Sequence, residues 1–277
     1  MAMENTNWRT DFAERWVKYW TPPARPTPGS LAFIQEKLAA YPKKGPRVLV
    51  LGSTSEFRDM LFDRGIRPAV VDFSRDNYRI LSQAMRHKDE YEDNERYVEA
   101  DWCAMDLGEE FDIILGDAVF NIVPKESNGR LLGNIKRHLA PEGIYIERVH
   151  VFPEKYRGFD IAAETKKRRE DIARHSFYYV FGTPSYLAAM EKDNEPIPLR
   201  KVSSLVDGIY AEGLITPGQY EEWRRLGKHL TDFVFFLPTE QFARDRLAEY
   251  FAIAEVHVDY DFPFYPEFYP NFVLKKF

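Results

Sequence analysis

RVLVLGSTSE, Arg47 to Glu56, decides how this chain folds. Val48 to Leu51 is a continuous apolar run, the pattern of a strand buried on both faces. Gly52 permits a sharp turn with positive φ, and Ser53, Thr54 and Ser55 are hydroxyl residues suited to capping a helix. The following EFRDMLFDRG puts Phe57, Met60 and Leu61 on one helical face and stops at Gly65. Strand, tight turn and helix N-terminus together aim backbone N–H groups and the helix dipole at one point, where a ligand can sit. The next unit, RPAVVDFS, ends in an acid, and Asp72 stands 20 residues after Gly52. An acid there can accept both ribose hydroxyls of a nucleoside; capping the next helix is the other role open to Asp72 or Ser74.

Working outward, the first residues form a helical preface. WRTDFAERWVKYW carries Phe12, Trp16, Tyr19 and Trp20 at helical spacing, an aromatic face that can cover a pocket or pack on the sheet. The prolines of TPPARPTPGS interrupt it, and a second helix is expected over Ser30 to Tyr41 with Ser30 as its cap. Downstream, a helix follows Ser74. A strand at Tyr97 to Glu99 then leads to Asp101 and Trp102. Another at Glu110 to Leu115 carries Gly116, Asp117 and Ala118 at its tip, and a fifth runs from Ile144 to Val151 after the turn APEG. This alternation predicts an α/β, doubly wound, mostly parallel sheet. From Glu154 to about Pro238 the pattern is helical; a helix at Thr239 to Tyr250 and strands at Ala254 to Tyr260 and NFVLKKF then return to the sheet. The expected division is a helical segment at 1–45, a core at 46–152 and 239–277, and a helical insertion after strand five at 153–238.

Composition narrows the class. The 277 residues are 44% hydrophobic and 30% charged, with a net charge of −6, which argues against non-specific nucleic-acid binding. The single cysteine, Cys103, excludes an internal disulfide framework and a multi-cysteine zinc site, and no metal is expected. No stretch approaches the ~18 apolar residues of a spanning helix, so a cytoplasmic protein without a membrane partner is expected. Sixteen Tyr and five Trp suit the wall of an organic-ligand pocket.

Taken in order, VLVLGSTSE, VVDFS, EADW, FDIILGDAVFNI and HLAPEGIYIERV resemble the motifs of class I S-adenosylmethionine-dependent methyltransferases. The resemblance spans roughly Arg47 to Val151 and resumes from Thr239. It implies a Rossmann-like sheet of seven strands, the last antiparallel, and S-adenosyl-L-methionine as cofactor. Gly52, Ser53 and Thr54 would lie against the methionine part and Asp72, with Phe73 and Ser74 beside it, would hold the ribose. Asp101 and Trp102 would bracket the adenine, and Asp117 and Ala118 would line the cleft near the transferred methyl. The chain departs from the pattern where Val50 replaces the usual acid and Thr54 and Glu56 replace glycines. Glu56 either meets the methionine ammonium in place of that acid or caps its helix.

The implied activity is methyl transfer to a small organic acceptor, at oxygen or nitrogen. In-line displacement needs alignment and desolvation, and a hydroxyl acceptor also needs a base. His150, at the end of the fifth strand, is the candidate base; His175, beside Tyr178 and Tyr179, is the second. Those three residues, with Trp16, Tyr19 and Trp20, are the expected acceptor wall. Two other readings remain open, a nucleotide-cofactor enzyme such as a dehydrogenase and a non-catalytic cofactor-binding or interaction protein. Oligomeric state and acceptor identity are not legible.

Overall fold

A computed structural model of the protein describes residues 21–227 and 233–277. Trp16, Tyr19 and Trp20 lie outside the described residues. The strands of the main sheet are β1 (Val48–Leu51), β2 (Ala69–Asp72), β3 (Arg96–Glu99), β4 (Phe111–Asp117) and β5 (Leu139–Arg148), with β8 (Ala252–His257) and β9 (Asn271–Lys275). The insertion carries β6 (Pro196–Pro198) and β7 (Val234–Phe236). The sheet order is β3-β2-β1-β4-β5-β9-β8, parallel throughout except for β9, which runs antiparallel to both its neighbours. The expected seven-stranded, mostly parallel, methyltransferase-like sheet is therefore the observed one.

The apolar run in β1 divides by strand alternation. Leu49 and Leu51 enter one core with Leu131, Leu132 and Ile135, while Val48 and Val50 enter the other with Phe33, Phe57 and Leu61. Helices Pro28–Ala40 and Ser55–Phe62 thus cover one face, and Asn128–His138 and Glu240–Ala248 the other. Because the order reverses between β1 and β4, a crevice opens at their carboxyl ends.

Several local expectations shift. The first described helix starts at Pro28, and its cap is Thr27, whose side chain accepts from Ser30 N and donates to Asp259 at 2.5 Å. Proline at the first turn leaves no N–H to satisfy, so the helix begins before Ser30. The segment APEG, expected as a turn, runs within the start of β5 across a register shift between Phe111 and Ile113. The two short strands β6 and β7 were not legible, since PIP has two residues without an N–H and survives only as a strand paired on one side.

The insertion forms its own core of helices Ile161–Lys167, Phe177–Ala188, Leu199–Ala211 and Pro217–Gly227, joined by the loop between β8 and β9. Within Phe177–Ala188, Phe181 departs from helical angles (φ −122°, ψ 17°). Pro184 causes this: it offers no N–H, and its ring crowds the preceding turn. The insertion leaves and rejoins the sheet at one place, where Phe152 N donates to Pro238 O at 2.7 Å and Glu240 N to Phe152 O at 3.1 Å. Among the described residues no helix is long and apolar enough to cross a membrane.

Candidate active site

The tips of β1, β2 and β4 and the bent helix of the insertion face one another across one cleft. On the sheet side it is lined by Gly52, Ser53, Thr54, Asp72, Phe73, Trp102, Asp117 and Ala118, all expected there. On the insertion side stand His150 and Tyr178, again expected, with Thr183, Tyr186, Trp223, Phe233 and Phe235.

Gly52 has φ +81°, and a Cβ there would lie 3.5 Å from the Trp102 ring. The turn therefore needs glycine for its backbone, while the indole closes the floor beneath it. Gly52 N and Trp102 Nε1 both donate to Val71 O at 2.8 Å, which locks floor to turn. The helix after the turn has Thr54 at its N-cap without a side-chain cap bond, so its first amides are left without that partner. Ser53 does not cap; its hydroxyl donates to Asp72 Oδ2 at 2.7 Å. Asp72 Oδ1 accepts from Ser74 N at 3.1 Å. Burial pushes the Asp72 carboxyl up to about 6 against these bonds. Ser74 itself stays off the cleft and caps helix Arg75–Ser82 through Asn77 N.

Other expected residues are placed elsewhere. Asp101 is exposed, accepts from Cys103 N at 2.9 Å through one carboxylate oxygen, and does not line the cleft. Trp102 alone of that pair lines the cleft. Glu56 is held by Arg25 Nη1 and Ser55 Oγ, each at 3.1 Å, and does not line the cleft. His175 is exposed, stacked on Tyr179 with ring centroids 5.0 Å apart, and both stand outside the lining.

Arg148 and Asn121, which had no assigned role, prove central. Asp117 and Arg148 are register partners across β4 and β5, and Arg148 Nε donates to Asp117 Oδ1 at 2.6 Å. Both side chains are buried, 3% and 0% exposed, so this ion pair stands outside water. Burial raises the Asp117 carboxyl, and the guanidinium pulls it back. Arg148 Nη1 also donates to Pro23 O at 2.9 Å, tying the chain before the first described helix to the sheet. The fully buried Asn121 donates to His150 O at 2.7 Å and Phe236 O at 2.8 Å, and accepts from His150 N at 2.9 Å. It thereby fixes the end of β5 against β7. His150 Nδ1 meets Thr183 Oγ1 at 2.9 Å, and its Nε2 is buried without a partner among the described residues. Burial and the Arg148 charge hold this imidazole well below its ordinary pKa, hence neutral.

One step back along the same strands, Glu147 lies over Gly116, where a Cβ would fall 1.8 Å from the carboxylate. Its oxygens accept from Phe120 N at 3.1 Å and Tyr145 OH at 2.7 Å. Burial pushes Glu147 up to about 8. A folded value above the ordinary 4.5 means the neutral form favours the fold. That contribution is complete below the ordinary value and is lost as pH rises through about 8. Glu147→Gln cannot ionise and should remove up to ~1.4 kcal/mol per pH unit of this decline. Urea unfolding of both proteins across that range checks it; parallel stability curves would refute it.

No protein-family model and no curated protein matches the sequence. Solved structures do. The chain is similar to a Rhodobacter sphaeroides protein provisionally named a Zn-dependent alcohol dehydrogenase, at 16% identity and TM-score 0.60, over 99% of this chain and 100% of that one. It is similar to an O-methyltransferase family protein from Burkholderia thailandensis at 8% identity and TM-score 0.54, over 99% of this chain and 60% of that one. It is also similar to the glycopeptide N-methyltransferase MtfA complexed with S-adenosyl-L-methionine, at 12% identity and TM-score 0.51, over 92% and 98%. The shared fold is that of the class I S-adenosylmethionine-dependent methyltransferases. Among the described residues, no three His, Cys, Asp or Glu side chains stand together as a metal set.

Proposed function

We propose that the protein is an S-adenosylmethionine-dependent methyltransferase acting at an oxygen or nitrogen of a small organic acceptor. The observation that carries this reading is the cleft in which the strand tips Gly52, Asp72 and Asp117 face the aromatic insertion. The sheet half suits the cofactor. Gly52 to Thr54 and the uncapped first turn would receive the methionine part, with backbone amides offered to its carboxylate. Asp72 would hold the ribose. Among the described residues Asn77 Oδ1 is buried without a partner, and the side chain lines the cleft, so it takes the donor-accepting role first expected of Asp101. When bound, S-adenosylmethionine supplies an electrophilic methyl group.

The chain supplies alignment, dryness and a proton acceptor. The insertion is the lid: Tyr178, Tyr186 and Phe235 exclude water from the reacting end. In the tautomer in which Nδ1 donates to Thr183, His150 Nε2 carries the lone pair and accepts the proton of an acceptor hydroxyl as its oxygen gains the methyl.

Calorimetry with S-adenosylmethionine, S-adenosylhomocysteine and NAD tests the reading. The first two should bind and NAD should not; the reverse result would sink it. Asp72→Ala should weaken S-adenosylmethionine by about 1.5–3 kcal/mol, the scale of hydrogen bonds to a charged group. Because the free Asp72 carboxyl titrates at about 6 and a ribose diol favours the ionised form, affinity should fall as pH drops through that value. The slope is at most ~tenfold per pH unit, and Asp72→Asn should lose it. A flat profile in the wild type would remove Asp72 from the ribose.

A further inference from the structure

The insertion half of the cleft holds two polar atoms with nothing to bind. Among the described residues, His150 Nε2 and Trp223 Nε1 are both buried without a partner, and both side chains line the cleft. His150 is 6% exposed and Trp223 4% exposed. Folded proteins rarely leave such atoms orphaned, because water can no longer satisfy them. The third orphan of the lining, Asn77 Oδ1, sits on the sheet side and is absorbed by the cofactor reading.

Much of the rest of this half is made of rings. Tyr178, Tyr186, Trp223, Phe233 and Phe235 form its walls. Among the described residues the only carboxyls in the lining, Asp72 and Asp117, belong to the strand tips, and Asp117 is already matched by Arg148. A charged acceptor would enter a dry space with no counter-ion left for it, which is costly.

We propose that the acceptor is an uncharged, flat aromatic molecule with two polar points, an acidic hydroxyl met by His150 Nε2 and an acceptor atom met by Trp223 Nε1. The inference rests on the methyltransferase reading for its reaction but on the orphaned atoms for its recognition. Each point has a separate chemical sense. The indole N–H can only donate, so it requires a carbonyl oxygen or ring nitrogen. In the tautomer in which Nδ1 donates to Thr183, the neutral imidazole leaves Nε2 as an acceptor, which requires a donor. A histidine this hard to protonate is a weak base, and it can relieve only a hydroxyl that is already acidic, as in a phenol or enol. Ring walls supply stacking faces for such a molecule.

The test uses the full chain and equilibrium dialysis against the positional isomers of hydroxycoumarin, which carry a phenol and a lactone carbonyl. Coumarin lacks the hydroxyl, naphthol lacks the carbonyl, and a coumarin carboxylate adds charge. At least one hydroxycoumarin should bind about tenfold tighter than each of the three controls, the scale of one buried hydrogen bond. Trp223→Phe should erase the advantage over naphthol and leave that over coumarin. His150→Leu, once its near-ultraviolet circular dichroism matches the wild type, should do the opposite. Equal binding of coumarin, naphthol and every hydroxycoumarin overturns the proposal, as does tightest binding of the carboxylate or an unchanged preference in Trp223→Phe. S-adenosylmethionine is titrated separately in the absence of any aromatic probe. If it fails while the hydroxycoumarin preference holds, the methyltransferase reading falls and the recognition stands. If it binds while the preference is absent, the recognition falls and the reading stands.

Discussion

Arg148→Leu should destabilise the fold by about 3–5 kcal/mol, the usual cost of leaving one member of a buried ion pair without its partner. The Asp117 carboxylate, 3% exposed, would keep no guanidinium to offset its burial. The carbonyl of Pro23 would also lose its donor. Urea unfolding at neutral pH reads the loss. The double variant Arg148→Leu with Asp117→Asn should recover a large part of it, because no charge is then buried. At acid pH the single variant should close much of its gap to the wild type, as Asp117 takes a proton and becomes neutral. A single variant within ~1 kcal/mol of wild type at neutral pH would show that water reaches the pair, contrary to its burial.

The second large effect belongs to Asn121. Asn121→Leu removes the partners of His150 O, Phe236 O and His150 N together. At ~1–3 kcal/mol for each of the three orphaned groups, the expected loss is about 3–9 kcal/mol. Function should fail first. Once β7 is freed from the end of β5, Phe235 and His150 no longer hold fixed positions across the cleft. Hydrogen exchange should quicken in Val234–Phe236 and at the end of β5 while β1 to β3 keep their protection. Uniform protection throughout the sheet would show that Asn121 does not fasten these elements.

The sequence made the sheet legible because its signals are local. A four-residue apolar run, a glycine and an acid at a fixed distance are all read along one strand and one turn. The cleft was legible on the sheet side for the same reason, from Gly52 to Ala118. What escaped is pairing across strands. Asp117 and Arg148 are 31 residues apart in sequence and adjacent only in register. Asn121 was visible inside FDIILGDAVFNI, yet nothing local says that its amide reaches β5 and β7. Asp101 misled for the converse reason. It stands at the right strand end, but a carboxylate two residues before a free N–H satisfies its own turn more readily than a distant ligand. His175 misled through composition, since an aromatic neighbourhood suits a pocket wall and a packed surface equally.

The common point at which the insertion leaves and rejoins the sheet has a consequence for descent. Phe152 is bonded to Pro238 and Glu240 on either side of a single bridge to Thr239, so the intervening chain is a detour that returns to its origin. Lengthening or shortening such a detour changes its closure entropy only as the logarithm of its length. The strand tips and the detour can therefore diverge at different rates. Lineages sharing this sheet could exchange one detour for another and acquire a new chemical diet while inheriting the other half of the cleft intact.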